Sequence, residues 1–349
     1  MYRNTYVNIN LSNLECNIKN ILERVKDYKY HFGVVKADSY GHYGYKPVET
    51  IINAGINYLA VSSLEEALEI RKYNKDIPIL CLGIINEDYI NECVDNNITI
   101  TISNLDYVIN MSYNKELKVH LKINTGMNRL GFSKNEELIE AFNILKDKVI
   151  IEGIYTHIYN DKSLVDTNKQ IDSFINITRG IDLNNIPIVH FGGSSYSINY
   201  PKLDFVNGCR LGIVMYGLID TDLELKTTFS LHSKVIQINN ISDGTVGYDG
   251  NYKINGNEKI AVVPIGYADG IIRKNSGRTV YINDKEYIIV GNICMDMLFV
   301  KVDETVNVGD TVDIIKDINH LKRISKHLDT ITYEVICNIS KRVPRVYIK

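Results

Sequence analysis

His31-Phe-Gly-Val-Val35 runs without a break into Lys36-Ala-Asp-Ser-Tyr-Gly-His42. The first five residues are largely aromatic and β-branched, as a buried strand requires. The next residues decide how that strand is continued. An open doubly wound sheet of the dinucleotide-binding kind would carry a G-x-G-x-x-G turn here, and none is present. A closed barrel needs only a polar loop at the carboxyl end of the strand. Here that loop opens with a lysine.

Further short apolar runs lie at 58–61, 79–82, 98–102, 118–123, 150–155, 187–191 and 211–215. Helical patterns separate them. Ser63-Leu-Glu-Glu-Ala-Leu-Glu-Ile has a capping residue, early acids and an apolar stripe, and Asn135-Glu-Glu-Leu-Ile-Glu-Ala-Phe reads the same way. Strands alternating with helices build parallel βαβ units, and eight of them over about 200 residues fit a (β/α)8 TIM-type barrel. After about residue 225 the texture changes. Runs at 234–238, 260–264, 278–282, 285–290, 297–300 and 311–315 read as strands, with Asn283-Asp284 and Asn255-Gly256 as tight hairpin turns. One helix, near 319–328, interrupts them. The expected fold is α/β plus β: a barrel over 1–225, then a mainly antiparallel β domain over 226–349. Residues 1–10 belong to the first by position but are free to pack on the second.

The bulk numbers bound the function. The chain has 349 residues, 45% hydrophobic and 23% charged, with a net charge of −3. That balance gives no electrostatic footprint for nucleic acid or an anionic membrane. Its six cysteines form no C-x-x-C pair and no Cys/His cluster at zinc spacing, so no metal is expected. No apolar run has the length of a membrane span, and the first residues lack the pattern of a secretory signal. A cytoplasmic enzyme is the expectation.

In a barrel of this kind, functional residues gather in the loops at the carboxyl ends of the strands. Lys36–His42, Asn124–Arg129, Thr156-His157 and Gly192-Gly-Ser-Ser195 all fall there. A lysine after a strand is most often a solvated surface charge. Beside Val34-Val35, partial desolvation disfavours the ammonium, and a neutral amine can attack an aldehyde. The Gly/Ser turn offers backbone N–H groups and hydroxyls suited to a phosphate, although such a turn is equally often an ordinary loop. A strand-end lysine and a phosphate cradle together suggest a phosphate-bearing aldehyde, and pyridoxal phosphate (PLP) answers that description.

At these residues the sequence resembles the alanine racemase family, PLP enzymes of fold type III. The resemblance rests on Val34–His42, Lys122–Gly131, Cys209–Gly217, Gly266-Tyr-Ala-Asp-Gly270, Cys294-Met-Asp296, Tyr333-Glu-Val-Ile-Cys337 and Arg342-Val-Pro-Arg345, in the family order. It implies the following roles. Lys36 holds PLP as a Schiff base. Tyr40, Ser194 and Tyr333 hold its phosphate, with backbone N–H groups near Gly212 and Ile213. Arg210 faces the pyridine nitrogen and Arg129 the phenolic oxygen. Arg129 and Met295 meet the substrate, and His157 links Arg210 to a second base, Tyr267. Lys122, carbamylated in some members, and Asp296 are supporting residues. Proton removal on one face and return on the other needs two opposed groups, Lys36 and Tyr267. Because those two lie in different domains, a head-to-tail homodimer with shared sites is expected, Tyr267 coming from the partner subunit. The implied reaction interconverts L- and D-alanine, with D-alanine for peptidoglycan as its use.

The seventh-strand loop departs from the usual pattern. Many members have asparagine where Gly193 stands. Gly193-Ser-Ser-Tyr-Ser-Ile-Asn-Tyr-Pro201 is similar to the racemase half of the membrane-bound serine/alanine racemases linked to vancomycin resistance. Those enzymes tend to carry asparagine in place of Tyr333. The tyrosine narrows the pocket, which favours alanine over serine or a broader amino-acid range. A PLP decarboxylase would need an acid where Arg210 stands, and a non-catalytic PLP-binding protein would lack the β domain.

Overall fold

The computed structural model describes residues 2–349. Eight parallel strands close into a barrel: Tyr30–Val34, Tyr58–Val61, Ile79–Cys81, Ile98–Ile102, Lys118–Lys122, Ile150–Tyr155, Ile188–Phe191 and Gly208–Leu211. They are called barrel strands one to eight below. Strands one and eight complete the ring through Tyr30↔Gly208 to Gly33↔Leu211. Tyr58–Val61 and Ile98–Ile102 are buried at every position, as strands covered on both faces must be. Each such Ile, Leu or Val contributes about 1.5–3 kcal/mol on leaving water.

Alternation along the strands sorts side chains between the helices outside and the barrel interior. Val119 and Leu121 belong to the large core beneath the helices, as do Val189, Phe191, Cys209 and Leu211. The intervening His120, Lys122, His190 and Arg210 are buried polar residues. Among helices, Leu64–Arg71 begins where Ser63 accepts a hydrogen bond from the Glu66 N–H, as the capping pattern requires.

The second module is a nine-stranded sheet, in the order Gln237–Ile241, Glu258–Val263, Leu298–Val302, Lys285–Val290, Thr279–Ile282, Thr311–Ile315, Phe229–Lys234, Tyr6–Asn10, Arg345–Ile348. All its pairings are antiparallel except that of the first and last strands of the chain, which run parallel. The Asn283-Asp284 turn joins Ile282 to its partner Lys285, with φ of 51° and 62° at its two residues. That is the primed turn geometry a two-residue hairpin needs.

Four sequence expectations shift. The eighth barrel strand is Gly208–Leu211, not 211–215. Beyond it the apolar run folds into tight turns, Met215 N–H to Gly212 O and Tyr216 N–H to Ile213 O. The run read at 234–238 straddles a break between Phe229–Lys234 and Gln237–Ile241. Asn255-Gly256 does not close a hairpin. Tyr252–Lys253 pairs with Thr245–Val246, while Glu258–Val263 pairs with other strands. A second helix, Thr332–Cys337, follows Ile318–Leu328.

Candidate active site

At the carboxyl end of the barrel lies a cavity of about 730 Å³. Its walls include Lys36, Tyr40, Lys122, Arg129, His157, Ser194, Arg210, Gly212, Ile213 and Tyr333. Ten of the residues singled out from the sequence are thus gathered from five barrel strand ends and one β-domain helix. That helix, Thr332–Cys337, brings Tyr333 of the same chain over the barrel mouth. Tyr267, Met295 and Asp296 lie elsewhere on the chain.

Lys36 is half-buried just beyond the first strand. Burial, and then the nearby Arg129, lower its pKa. The four residues after it, Ala37 to Tyr40, form a left-handed turn, with φ of 51–55° and ψ of 47–50°. Each non-glycine residue there costs roughly 1–2 kcal/mol, so packing must hold the segment. The Ser39 N–H bonds to Val35 O at 2.9 Å, and the Ala37 N–H to Glu66 Oε1 at 2.7 Å. From the β domain, Arg345 Nε–H bonds to Gly41 O at 3.2 Å and Tyr347 O–H to Tyr43 O at 2.8 Å. This turn swings Tyr40 back toward the eighth strand end. A Cβ on Gly212 would stand 2.8 Å from the Tyr40 hydroxyl, so only glycine allows that approach. Ser194 completes the group, its Oγ accepting from the Gly212 N–H at 3.0 Å.

Cations dominate the deeper wall. Arg210, Lys122, Lys36 and Arg129 have no carboxylate within salt-bridge distance among the described residues. Asp161 is the one carboxylate on the cavity wall, and it pairs with none of them. Burial, then Arg210 and Arg129, push Lys122 down to about 7. Its ammonium sits 4.5 Å above the Tyr155 ring. Arg210 donates through one terminal nitrogen to Thr156 O at 2.7 Å and to His157 Nδ1 at 3.3 Å. Burial and the surrounding cations, Arg210 first, hold His157 down to about 3, so the ring is neutral.

Three polar residues beneath the cavity escaped the sequence reading. Arg210 donates through its other terminal nitrogen to His190 Nδ1 at 2.7 Å. His190 Nε2 lies 2.8 Å from His120 Nδ1, and His120 Nε2 lies 3.1 Å from Glu152 Oε2. The period-two pattern His120-Leu-Lys122, with apolar residues facing out, was the available signal for His120.

Tyr267, Met295 and Asp296 form a second constellation, on the β sheet. Tyr267 and Met295 are 42% and 53% exposed. Their backbones are laced together: the Tyr267 N–H bonds to Cys294 O and the Ala268 N–H to Met295 O, both at 3.0 Å. A Cβ on Gly266 would fall 2.3 Å from Cys294 O, so the lacing requires glycine. Beneath it, the fully buried Asp269 accepts from both terminal nitrogens of Arg3 and, at 3.0 Å, from the Gly266 N–H. Arg342 bonds to Asp296 at 2.7 Å and lies 3.7 Å from Asp269.

No helix of the described residues is long and apolar enough to cross a membrane, and no cluster of His, Cys, Asp and Glu among them could hold a metal ion.

Comparison with known proteins agrees with this architecture. The family models for the alanine racemase N-terminal and C-terminal domains match residues 9–220 and 228–347. The alanine racemase of Halalkalibacterium halodurans is 34% identical, covering 100% of this chain and 96% of its own. The crystal structure of alanine racemase from E. faecalis superposes with a TM-score of 0.93 at 30% identity, covering 99% of both chains. That from Bacillus anthracis with bound L-Ala-P gives 0.91 at 30% identity, covering 100% of this chain and 96% of the other. The chain belongs to the alanine racemase family.

Proposed function

We propose that the protein interconverts L- and D-alanine on PLP by a two-base mechanism, with Lys36 and Tyr267 of the partner subunit on opposite faces of the substrate. The observation that carries this reading is the cluster of cations without acid partners around a strand-end lysine. A cavity of this kind is made to receive an anion with several negative oxygens, as a phosphate-bearing cofactor and an amino-acid carboxylate are. The residues fit PLP. Ser194 Oγ and the Tyr40 hydroxyl converge on the glycine backbone at 212, and Lys36 and Arg210 line the same cavity. When bound, PLP supplies an electrophilic carbonyl and a conjugated ring that acidifies the α-carbon of an attached amino acid.

The chain's own residues have distinct tasks. Lys36, its ammonium disfavoured by burial, is the nucleophile toward the cofactor and then the proton carrier on one face. Arg210 would face the ring nitrogen. A permanently charged guanidinium there would oppose protonation of that nitrogen and so make the ring a weaker electron sink. His157 Nδ1 accepts from Arg210, which leaves its Nε2–H to reach outward toward Tyr267 of the partner subunit. Arg129 would meet the phenolic oxygen, and the backbone N–H of Met295 of the partner subunit the substrate carboxylate. Tyr40, Ser194, Gly212, Ile213 and Tyr333 would take the phosphate. Lys122, with a pKa near neutrality, is suited to carbamylation, which would give Arg210 and Arg129 the anion they lack. The two domains divide at about residue 225, and the active form is a head-to-tail homodimer in the cytoplasm.

The test is a spectrum and a chiral assay on purified protein. We expect a visible PLP band that is lost in Lys36→Ala, together with interconversion of L- and D-alanine. A protein that stays colourless with added PLP would end the reading. Serine is the second substrate to measure. A pocket not built to reject a hydroxyl discriminates by only on the order of 10–200-fold. Tenfold better turnover of serine would reverse the assignment.

A further inference from the structure

We propose that Glu152 is a positioning residue for Arg210, acting through His190 and His120 as a one-directional hydrogen-bond chain across the barrel interior. This deepens the reading of Arg210 above and rests on it for its catalytic consequence. The geometry of the chain stands independently.

The direction of every link is forced, and from both ends. A guanidinium has donors only. The 2.7 Å contact therefore makes His190 Nδ1 the acceptor. A neutral imidazole with a bare Nδ1 carries its proton on Nε2, so His190 donates across the 2.8 Å gap to His120 Nδ1. His120 in turn must carry its proton on Nε2, which faces Glu152 Oε2 at 3.1 Å. From the other end, an ionised carboxylate accepts only. It therefore demands the same proton on His120 and gives the same sequence in reverse. Tyr58 and Thr99 hydroxyls donate to that same oxygen at 2.6 and 3.1 Å. Burial alone would raise the Glu152 carboxyl, but the bonds from His120, Tyr58 and Thr99 hold it down to about 2.

No extra proton fits. A second proton on either ring would set two donors face to face, and burial depresses both imidazoles. The rings cannot turn away either. His190 is sandwiched between Phe32 and Tyr155, each 4.5 Å away and inclined by 13°. His120 fills the space above Gly153, where a Cβ would stand 2.6 Å from its Cε1. Glu152 is thus a counter-ion for Arg210 three hydrogen bonds away. The bonds to His190 and Thr156 fix the guanidinium plane, and no anion touches the face left toward the cavity. A carboxylate in direct contact would fix the plane equally well but would cancel the charge that the ring nitrogen is meant to feel.

The experiment is nitrogen NMR of the cofactor-loaded protein labelled at histidine and arginine, alongside kinetics of Glu152→Gln. In the unmodified chain we expect both His120 and His190 as neutral rings protonated at Nε2. In Glu152→Gln we expect altered His120 and Arg210 side-chain signals, with kcat lower by about tenfold and KM within about twofold. Either ring found cationic or protonated at Nδ1 in the unmodified chain overturns the proposal, and this needs no variant to fold. A Glu152→Gln protein that melts earlier but keeps its Arg210 signal and its kcat overturns it too, leaving Glu152 a merely structural group. If the tautomers are as stated but Arg210→Lys leaves kcat unchanged, the reading of Arg210 fails and the chain of bonds survives.

Discussion

The barrel mouth and the Tyr267 turn handle charge in opposite ways. At the mouth, Lys36, Lys122, Arg129 and Arg210 stand together without a carboxylate in salt-bridge contact; Glu66 acts on Lys36 from a distance, and Glu152 lies two imidazoles below Arg210. Under the turn, Arg3, Asp269, Arg342 and Asp296 neutralise one another within the chain. The first arrangement is unbalanced, and the missing charge describes its ligand. The second is closed, so its outward side chains, Tyr267 and Met295, are presented on a rigid neutral base. Two regions of one chain thus differ as an unbalanced receptor differs from a self-neutralised platform. The difference supports a site completed by a second copy.

Altering the tyrosine on that platform should have the largest effect. Tyr267→Phe removes only a hydroxyl from an exposed ring, so folding should be unaffected. Exchange of the α-proton in heavy water should fall by about 10²–10⁴-fold for one enantiomer and far less for the other. Equal and full exchange from both would show that another residue serves the second face. Sedimentation paired with activity addresses the same division, since an active monomer would contradict a shared site.

Undermining the neutral base comes next. Asp269→Ala strands Arg3 and removes the acceptor of the Gly266 N–H. Breaking a buried ion pair from one side costs about 3–5 kcal/mol, and partial exposure of Arg3 places this case at the low end. Urea unfolding should report that loss. The residual activity should show the same enantiomer bias as Tyr267→Phe, because the turn carrying the tyrosine loosens while the barrel does not. A symmetric loss would mean that the cluster serves stability alone.

The smallest effect probes the unbalanced charge. The folded-state pKa of Lys122, about 7, lies below its unfolded value. Above pH 7 the unfolded chain then binds the extra proton, and stability rises with pH. The cofactor-free protein should gain about 2 kcal/mol between pH 7 and pH 9 from this group, read as a higher urea midpoint. Lys122→Met should flatten that gain. An unchanged slope would place the ammonium in contact with an anion.

How far the sequence was legible follows from the same physics. Strands buried on both faces announce themselves as unbroken β-branched runs, so the barrel could be read directly. The eighth strand was misplaced because Gly212–Tyr216 is as apolar as a strand yet forms tight turns, and an apolar run does not reveal whether its backbone groups pair in a sheet. Lys36 and the Gly/Ser turn were visible because they sit at strand ends, whereas Arg210, inside the misplaced eighth strand, was reached only through the family resemblance. His120, His190 and Glu152 lie inside strands, where a polar residue reads as noise until alternation places it in the barrel interior. The left-handed turn at Ala37–Tyr40 was not legible at all. None of its residues is glycine, and part of its support comes from Glu66 and from Arg345, the latter about 300 positions away along the chain.

The pairing of the chain's first and last strands has a mechanical consequence. Tyr6–Asn10 and Arg345–Ile348 lie side by side and parallel, with Val7 opposite Arg345 and Asn10 opposite Ile348. A tension applied at the two ends enters one strand at its beginning and leaves the other at its finish. It therefore slides the strands along each other and loads their hydrogen bonds together, where a hairpin would open one bond at a time. Tyr6–Asn10 is also bonded on its far side to Phe229–Lys234. These two strands form a shear-loaded clasp, and a pull that reaches them through the first residues loads the Arg3–Asp269 pair beneath the Tyr267 turn on the way.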